Sequence, residues 1–213
     1  MKIRFYLFLF VSFALVSFDG FAQSMRYGLT MGLQLSHPKE VDAQLGFNIG
    51  GKGEISFSKN ESHVFGDFGL MLSAKGWSDD LAYATSREYV EWKCRLYYLE
   101  VPIHIGYKYA VSEKIKILAG FGPYFAIGLL GRSEFDSNGN TSEITNPYDG
   151  NLFKNGTYKC FDFGVDAKAG IEANRNIQVF VGYELSLMSP TKERWKILSL
   201  KDRTFSISVA YLF

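Results

Sequence analysis

"RTFSISVAYLF", Arg203 to Phe213, is the stretch from which the rest of this 213-residue chain is read. Phe205, Ile207, Val209, Tyr211 and Phe213 take every second position, with Ser206, Ser208 and Ala210 between them. A period of two sends successive side chains to opposite faces of a β-strand, so one face is wholly apolar and the other small and polar. The strand runs into Phe213 without the loose polar tail that chain ends ordinarily carry. Such an edge needs a partner strand.

Seven more segments alternate in the same way, spanning Met25–Ser36, Gln44–Ser58, Val64–Trp77, Leu96–Tyr109, Ile115–Leu130, Phe161–Ala173 and Ile177–Leu187. Their connections alternate too. Those at 58–62, 110–114 and 174–176 are short, whereas 37–43, 78–93, 131–159 and 188–202 are long. Strands running up and down put all the short turns at one end and all the long loops at the other. An even number of antiparallel strands with this asymmetry predicts an all-β fold, an eight-stranded antiparallel up-and-down transmembrane β-barrel.

The amino-terminal segment sets the compartment. Lys2 and Arg4 precede the apolar run "FYLFLFVSFALVSF", and Gly20 and Ala22 supply small residues at a cleavage spacing, which predicts a signal peptide over 1–22 and a barrel domain over 23–213. The run is shorter than the roughly 20 residues of a helical span. Loss of Lys2, Arg4 and Asp19 leaves the remaining chain formally neutral. With no basic footprint, nucleic acid is not an expected partner.

Alternation does not say which face is outside, because a secreted lipocalin-like barrel turns its apolar face inward around a ligand. Three features favour lipid outside, the first being the end of the chain itself, with an aromatic at Phe213 and apolar residues at every second position before it. The polar face carries Gly28, Gly32, Gly46, Gly50, Gly69, Gly106, Gly120, Gly122, Gly164, Gly170 and Gly182. These suit a narrow lumen and would weaken a solvated sheet face. That face also mixes Lys52, Glu54, Lys75, Glu100, His104, Lys108, Asp166, Lys168 and Glu184. Both signs together allow a paired luminal polar network, since unpaired buried charges are costly. On the apolar face, Tyr97, Tyr107, Tyr109, Tyr183, Tyr211 and Phe213 fall mostly near strand ends, as interfacial aromatics do.

The segments "YLEVPIHIGYKY", "AGFGPYFAIGLL" and "FDFGVDAKAGIEA" resemble the outer-membrane β-barrel family of Bacteroidetes, the porin-like or PorT-like small barrels. The resemblance covers essentially the whole chain after residue 22. It implies an outer-membrane location, outer-membrane lipid and the barrel-assembly machinery as partners, and Tyr211 and Phe213 as an assembly signal. It implies no particular activity.

Motifs for chemistry are sparse. "GFNIGGKGE" approaches a phosphate-binding loop, but Gly53 stands where a hydroxyl is required and the segment continues as strand. His37, His63 and His104 lack metal-ligand spacing. Ser36-His37 is an adjacent pair near the outer rim, the one opening for a lipid-A-modifying enzyme, but adjacency is not triad geometry. The expectation is therefore no enzyme, no cofactor and no metal. Cys94 and Cys160 begin strands at the long-loop end, both inward by parity, and in an oxidising periplasm are expected to form a disulfide. Asn60, Asn140 and Asn155 begin Asn-x-Ser/Thr triplets, read as polar loop residues. A barrel of this size is filled by its own side chains. The expected function is thus structural, or binding of a surface partner through the outer loops, with Trp77, Tyr83, Tyr89, Trp92, Tyr148 and Trp195 as contact candidates or as loop-packing residues.

Overall fold

The computed structural model describes residues 24–38, 41–58, 62–82, 89–137, 150–188 and 202–213. Eight strands follow one another around the wall: β1 (Ser24–Ser36), β2 (Asp42–Ser56), β3 (His63–Ala82), β4 (Tyr89–Ala110), β5 (Ile115–Ser137), β6 (Phe161–Ala173), β7 (Ile177–Ser186) and β8 (Arg203–Leu212). Every neighbouring pair is antiparallel and the sheet closes into a barrel. The seam pairs β1 with β8 from Gly28↔Leu212 to Ser36↔Thr204, and Phe213 N–H donates to the Tyr27 carbonyl at 2.8 Å. Closure pairs the first strand with the last, so neither is left as an edge along the seam. The signal-peptide segment 1–22 lies outside the described residues.

Parity follows the sequence along most of the wall. On β8 the residues alternate without a break, Thr204, Ser206, Ser208, Ala210 and Leu212 buried and their neighbours exposed. The outward face is a continuous apolar belt that includes Leu29, Leu45, Ile105, Phe121 and Ile207. Phe121 is 67% exposed and Leu29 64%. A belt encircling the molecule far exceeds the few hundred Å² of apolar patch that a soluble monomer shows. On β4 it runs from Tyr97 to Tyr109, about 25–30 Å along the membrane normal at ~3.3 Å per residue and a strand tilt near 40°. That height matches a bilayer core, and it overturns the lipocalin-like alternative, in which the apolar face would point inward.

The short-turn end is tightly built. Asn174 and Arg175 both adopt positive φ, 50° and 65°, and Asn176 N–H reaches the Ala173 carbonyl at 3.2 Å. Two consecutive left-handed residues make the turn whose twist suits a hairpin. The long-loop end departs from the sequence reading. Residues 78–93 were expected as loop, yet β3 and β4 continue pairing to Ala82↔Tyr89, and β5 follows β4 out to Val90↔Ser137. A strand above the membrane has no lipid face to cover, so it loses the alternation that marks a strand while keeping its ladder.

Candidate functional site: the luminal ion network and the outer mouth

Inside the barrel, inward side chains from all the strands meet in three tiers. In the tier nearest the short turns, Lys108 Nζ donates to Glu54 Oε1 at 2.6 Å and to Glu172 Oε2 at 2.5 Å. Arg26 bonds the same two carboxylates, at 2.7 Å to Glu172. Gln178 donates to both as well, at 2.9 and 2.8 Å. Lys108 also lies 4.9 Å from the Phe65 ring centroid, a cation–π distance. Phe65 fits there because Gly106 faces it: a Cβ on Gly106 would stand 2.7 Å from the ring.

The middle tier centres on Asp67. Its carboxylate takes Lys168 at 2.5 Å, lies 3.3 Å from Lys52 Nζ, and accepts from His104 Nδ1 at 2.7 Å. His104 Nε2 meets Asp166 at 2.8 Å. The imidazole is thus held between the carboxyl groups of β3 and β6. Lys52 and Lys168 each stand 5.3 Å from the Phe180 centroid. A cavity of about 60 Å³ beside this tier is lined by Thr30, Asn48, Asp166 and Ser206 among others, room for about four waters. Thr30 Oγ1 and Asp166 Oδ1 have no partner among the described residues and border that space.

In the outer tier Lys75 bridges Glu184 and Glu100, the latter at 3.1 Å, and lies 4.9 Å from the Tyr124 centroid. Tyr124 OH donates to Asp162 at 3.1 Å, and Ser186 donates to the other oxygen of that carboxylate at 2.5 Å. Tyr124 in turn lies over Gly164, where a Cβ would meet its ring at 2.5 Å. All nine polar residues singled out in the sequence face the lumen and take part in these tiers. Arg26, Asp67, Asp162, Glu172 and Gln178 belong with them. The same parity rule that picked Lys52 and Glu54 also selects these residues, because each occupies an inward position of its strand.

Above the ions the mouth is closed by an apolar cluster, in which Trp77, Cys94, Leu96, Tyr98, Leu152, Phe153 and Tyr158 are buried together. The segment 150–160 supplies the lid. β6 stops pairing with β5 at Ile127↔Phe161, and the lid takes the vacated edge through Gly128 N–H to the Cys160 carbonyl at 2.6 Å and Leu152 N–H to the Gly131 carbonyl at 3.1 Å. β5 carries an irregularity opposite Tyr97 and Tyr98. There Asn151 donates to the Leu129 carbonyl at 3.0 Å and accepts from Gly131 N–H at 3.1 Å. One amide side chain thus bonds the carbonyl of Leu129, the residue skipped in the ladder, and the N–H two residues further on. Tyr158 OH accepts from Trp77 Nε1 at 3.0 Å, and burial pushes ionisation of this phenol well above its ordinary range.

The structure decides between the two readings of Trp77 and Trp92, and it corrects two expectations about the cysteines. Trp77 is not a surface contact: it is 3% exposed, and Trp92 packs edge-on against it at 4.8 Å. These tryptophans pack the mouth, because the β3–β4 ladder carries them inward over the lid. The side chain of Tyr89, and Tyr83, Tyr148 and Trp195 altogether, lie outside what is described. The expected disulfide is absent: Cys94 and Cys160 are free, the first buried and the second exposed. Cys94 lies opposite Ser133 on β5, whereas Cys160 bonds at Gly128. Five residues along one strand separate them by about 16 Å, well beyond the roughly 7 Å a bridge tolerates. Cys160 also precedes β6 and does not follow its inward parity.

Ser36 and His37 point to opposite faces. Ser36 is buried and donates to Asp202 at 2.6 Å, while His37 is exposed. The glycine-rich stretch at 46–54 is part of β2. Asn155 accepts from Thr157 N–H and Oγ1 at 3.0 and 2.8 Å, a local turn. Among the described residues no three His, Cys, Asp or Glu side chains converge as a metal site.

A closed barrel with an apolar belt outside and an ionic interior is an outer-membrane protein, and residues 21–191 match the family model described as "Outer membrane protein beta-barrel domain". The chain belongs to that family and resides in the outer membrane. A comparison with curated protein sequences returned no match. Among solved structures, the chain is similar to Ail, the attachment invasion locus protein of Yersinia pestis (14% identity, TM-score 0.38, covering 90% of this chain and 100% of that one). It is also similar to Neisserial surface protein A (11%, 0.38, 89% and 97%) and to the outer membrane protein OprG from Pseudomonas aeruginosa (8%, 0.40, 89% and 94%).

Proposed function

We propose that this is a non-conducting small barrel of the PorT-like type, exported by the 1–22 signal, whose role is structural or rests on surface contacts at its outer end. The observation that carries this reading is the crosslinked lumen: Lys75, Lys108 and Lys168 each tie together strands from different parts of the wall, and the lid lies above them. An ion crossing the lumen would have to break several short ion pairs in a low-dielectric space, each costly to leave half-made. The β3–β4–β5 extension, standing beyond the ends of the other ladders, is the natural place for a surface partner. The chemistry needed for an enzyme at the rim is unsupported by the Ser36-His37 arrangement.

The test is planar-bilayer recording of the refolded protein. The expected record stays at baseline under conditions where a general porin gives clear steps. Sustained steps of porin size would overturn the reading.

A further inference from the structure

The wall carries one feature that neither the lipid belt nor the lumen uses. On the outward face, Arg95 of β4 and Arg132 of β5 are direct cross-strand partners, and both are exposed. Like charges facing each other across a ladder are destabilising. Among the described residues neither guanidinium forms an ion pair with a carboxylate. The two stand one outward position above Tyr97, where the apolar belt gives way to the headgroup zone. Together with Gln44, Lys93, Tyr97 and Glu134 they line a pocket of about 70 Å³. Glu134 faces Lys93 in register, so the acidic group lies toward the outer side of the arginine pair.

Directly adjoining it, and sharing Gln44, Arg95 and Tyr97, is a crevice of about 260 Å³ whose apolar walls are Leu33, Leu45, Phe47 and Ala74. Its origin is local. The β2–β3 register slips between Ala43 and Phe47, and Gly46 lies so close that a Cβ would stand 1.8 Å from the Ala74 carbonyl oxygen. The close approach of β2 to β3 beside the crevice thus depends on glycine at that position. Gln44 lines both compartments, and its Oε1 is buried against Gly76 without a hydrogen-bond donor among the described residues.

We propose that this is a binding site for one phosphate-bearing, acylated lipid of the outer leaflet, with its phosphate between Arg95 and Arg132 and an acyl chain along Leu33, Leu45, Phe47 and Ala74. A guanidinium pair matches phosphate oxygens in the bidentate manner that arginine favours. An anion there also removes the cross-strand repulsion. Continuity of the charged pocket with the apolar crevice selects an amphiphile over a soluble anion.

The experiment uses the full protein in zwitterionic detergent with tritiated dioleoyl phosphatidic acid, competed by unlabelled phosphatidic acid, dioleoylglycerol or inorganic phosphate. Unlabelled phosphatidic acid should displace the label, and neither of the others should do so at matched concentration. Arg95→Gln with Arg132→Gln should weaken binding tenfold or more, and Phe47→Ala should weaken it less while leaving the preference for phosphate intact. Arg203→Gln, an exposed arginine at another part of the outer rim, should bind as the unaltered protein does. Displacement by dioleoylglycerol or by inorganic phosphate as effective as that by phosphatidic acid would overturn the proposal. So would a double variant binding within twofold of the unaltered protein.

Discussion

Replacing Lys108 with Met tests whether the luminal ions hold the barrel together or merely occupy it. Lys108 is fully buried, and its ammonium stands between Glu54 and Glu172 at 2.6 and 2.5 Å with the Phe65 ring beneath it. Methionine keeps the length and bulk of the stem and removes only the charge. Two carboxylates then share Arg26 and the Gln178 amide, and Glu54 retains Lys52 only at 3.9 Å. Removing one partner of a buried ion pair costs about 3–5 kcal/mol, and loss of the cation–π contact adds to it. With a urea slope of about 2 kcal/mol per M, the unfolding midpoint should fall by about 2 M. The assay is reversible unfolding from phosphocholine vesicles followed by tryptophan fluorescence. Pairing Lys108→Met with Glu172→Gln removes the carboxylate that lost its counter-charge and should recover more than half of the loss. A single variant that loses less than about 1 kcal/mol, or a pair no more stable than the single variant, would refute a stabilising role for the network.

Two further outcomes are expected. A membrane-impermeant maleimide applied to intact cells should modify Cys160 and leave Cys94 unmodified until the protein is unfolded, and reductant should change neither result; intact-mass measurement reads this directly, and modification of neither thiol before reduction would restore the disulfide. Phe213→Asp should lower the amount of folded protein in the membrane fraction more than Ser208→Leu, since Phe213 is 70% exposed toward lipid and Ser208 faces the lumen; equal yields would count against an assembly role for the aromatic.

Much of the architecture was legible in a one-dimensional pattern because a membrane imposes one. Lipid requires an apolar residue at every outward position, so β6 was delimited as Phe161–Ala173 from alternation alone. The same constraint made Lys52, Glu54, Lys75 and Glu184 recognisable as inward, and it applied equally to Asp67 and Glu172. It ceased above the bilayer. There β3, β4 and β5 run on as strands with no lipid to pattern them, and the stretch read as loop proved to be ladder.

What the sequence by itself determined is which face of each strand meets lipid and which meets the lumen, since that choice is made residue by residue by solvent. Only the tertiary structure decided who meets whom across the interior. Lys108 lies 54 and 64 positions from its two carboxylates, and Trp77 lies 81 from the tyrosine it bonds. Barrel closure and strand stagger set those distances, and neither is written in any local pattern. The separation of Cys94 from Cys160 and the pairing of Arg95 with Arg132 follow from the same register, the one turning an expected bridge into two free thiols and the other two surface charges into a site.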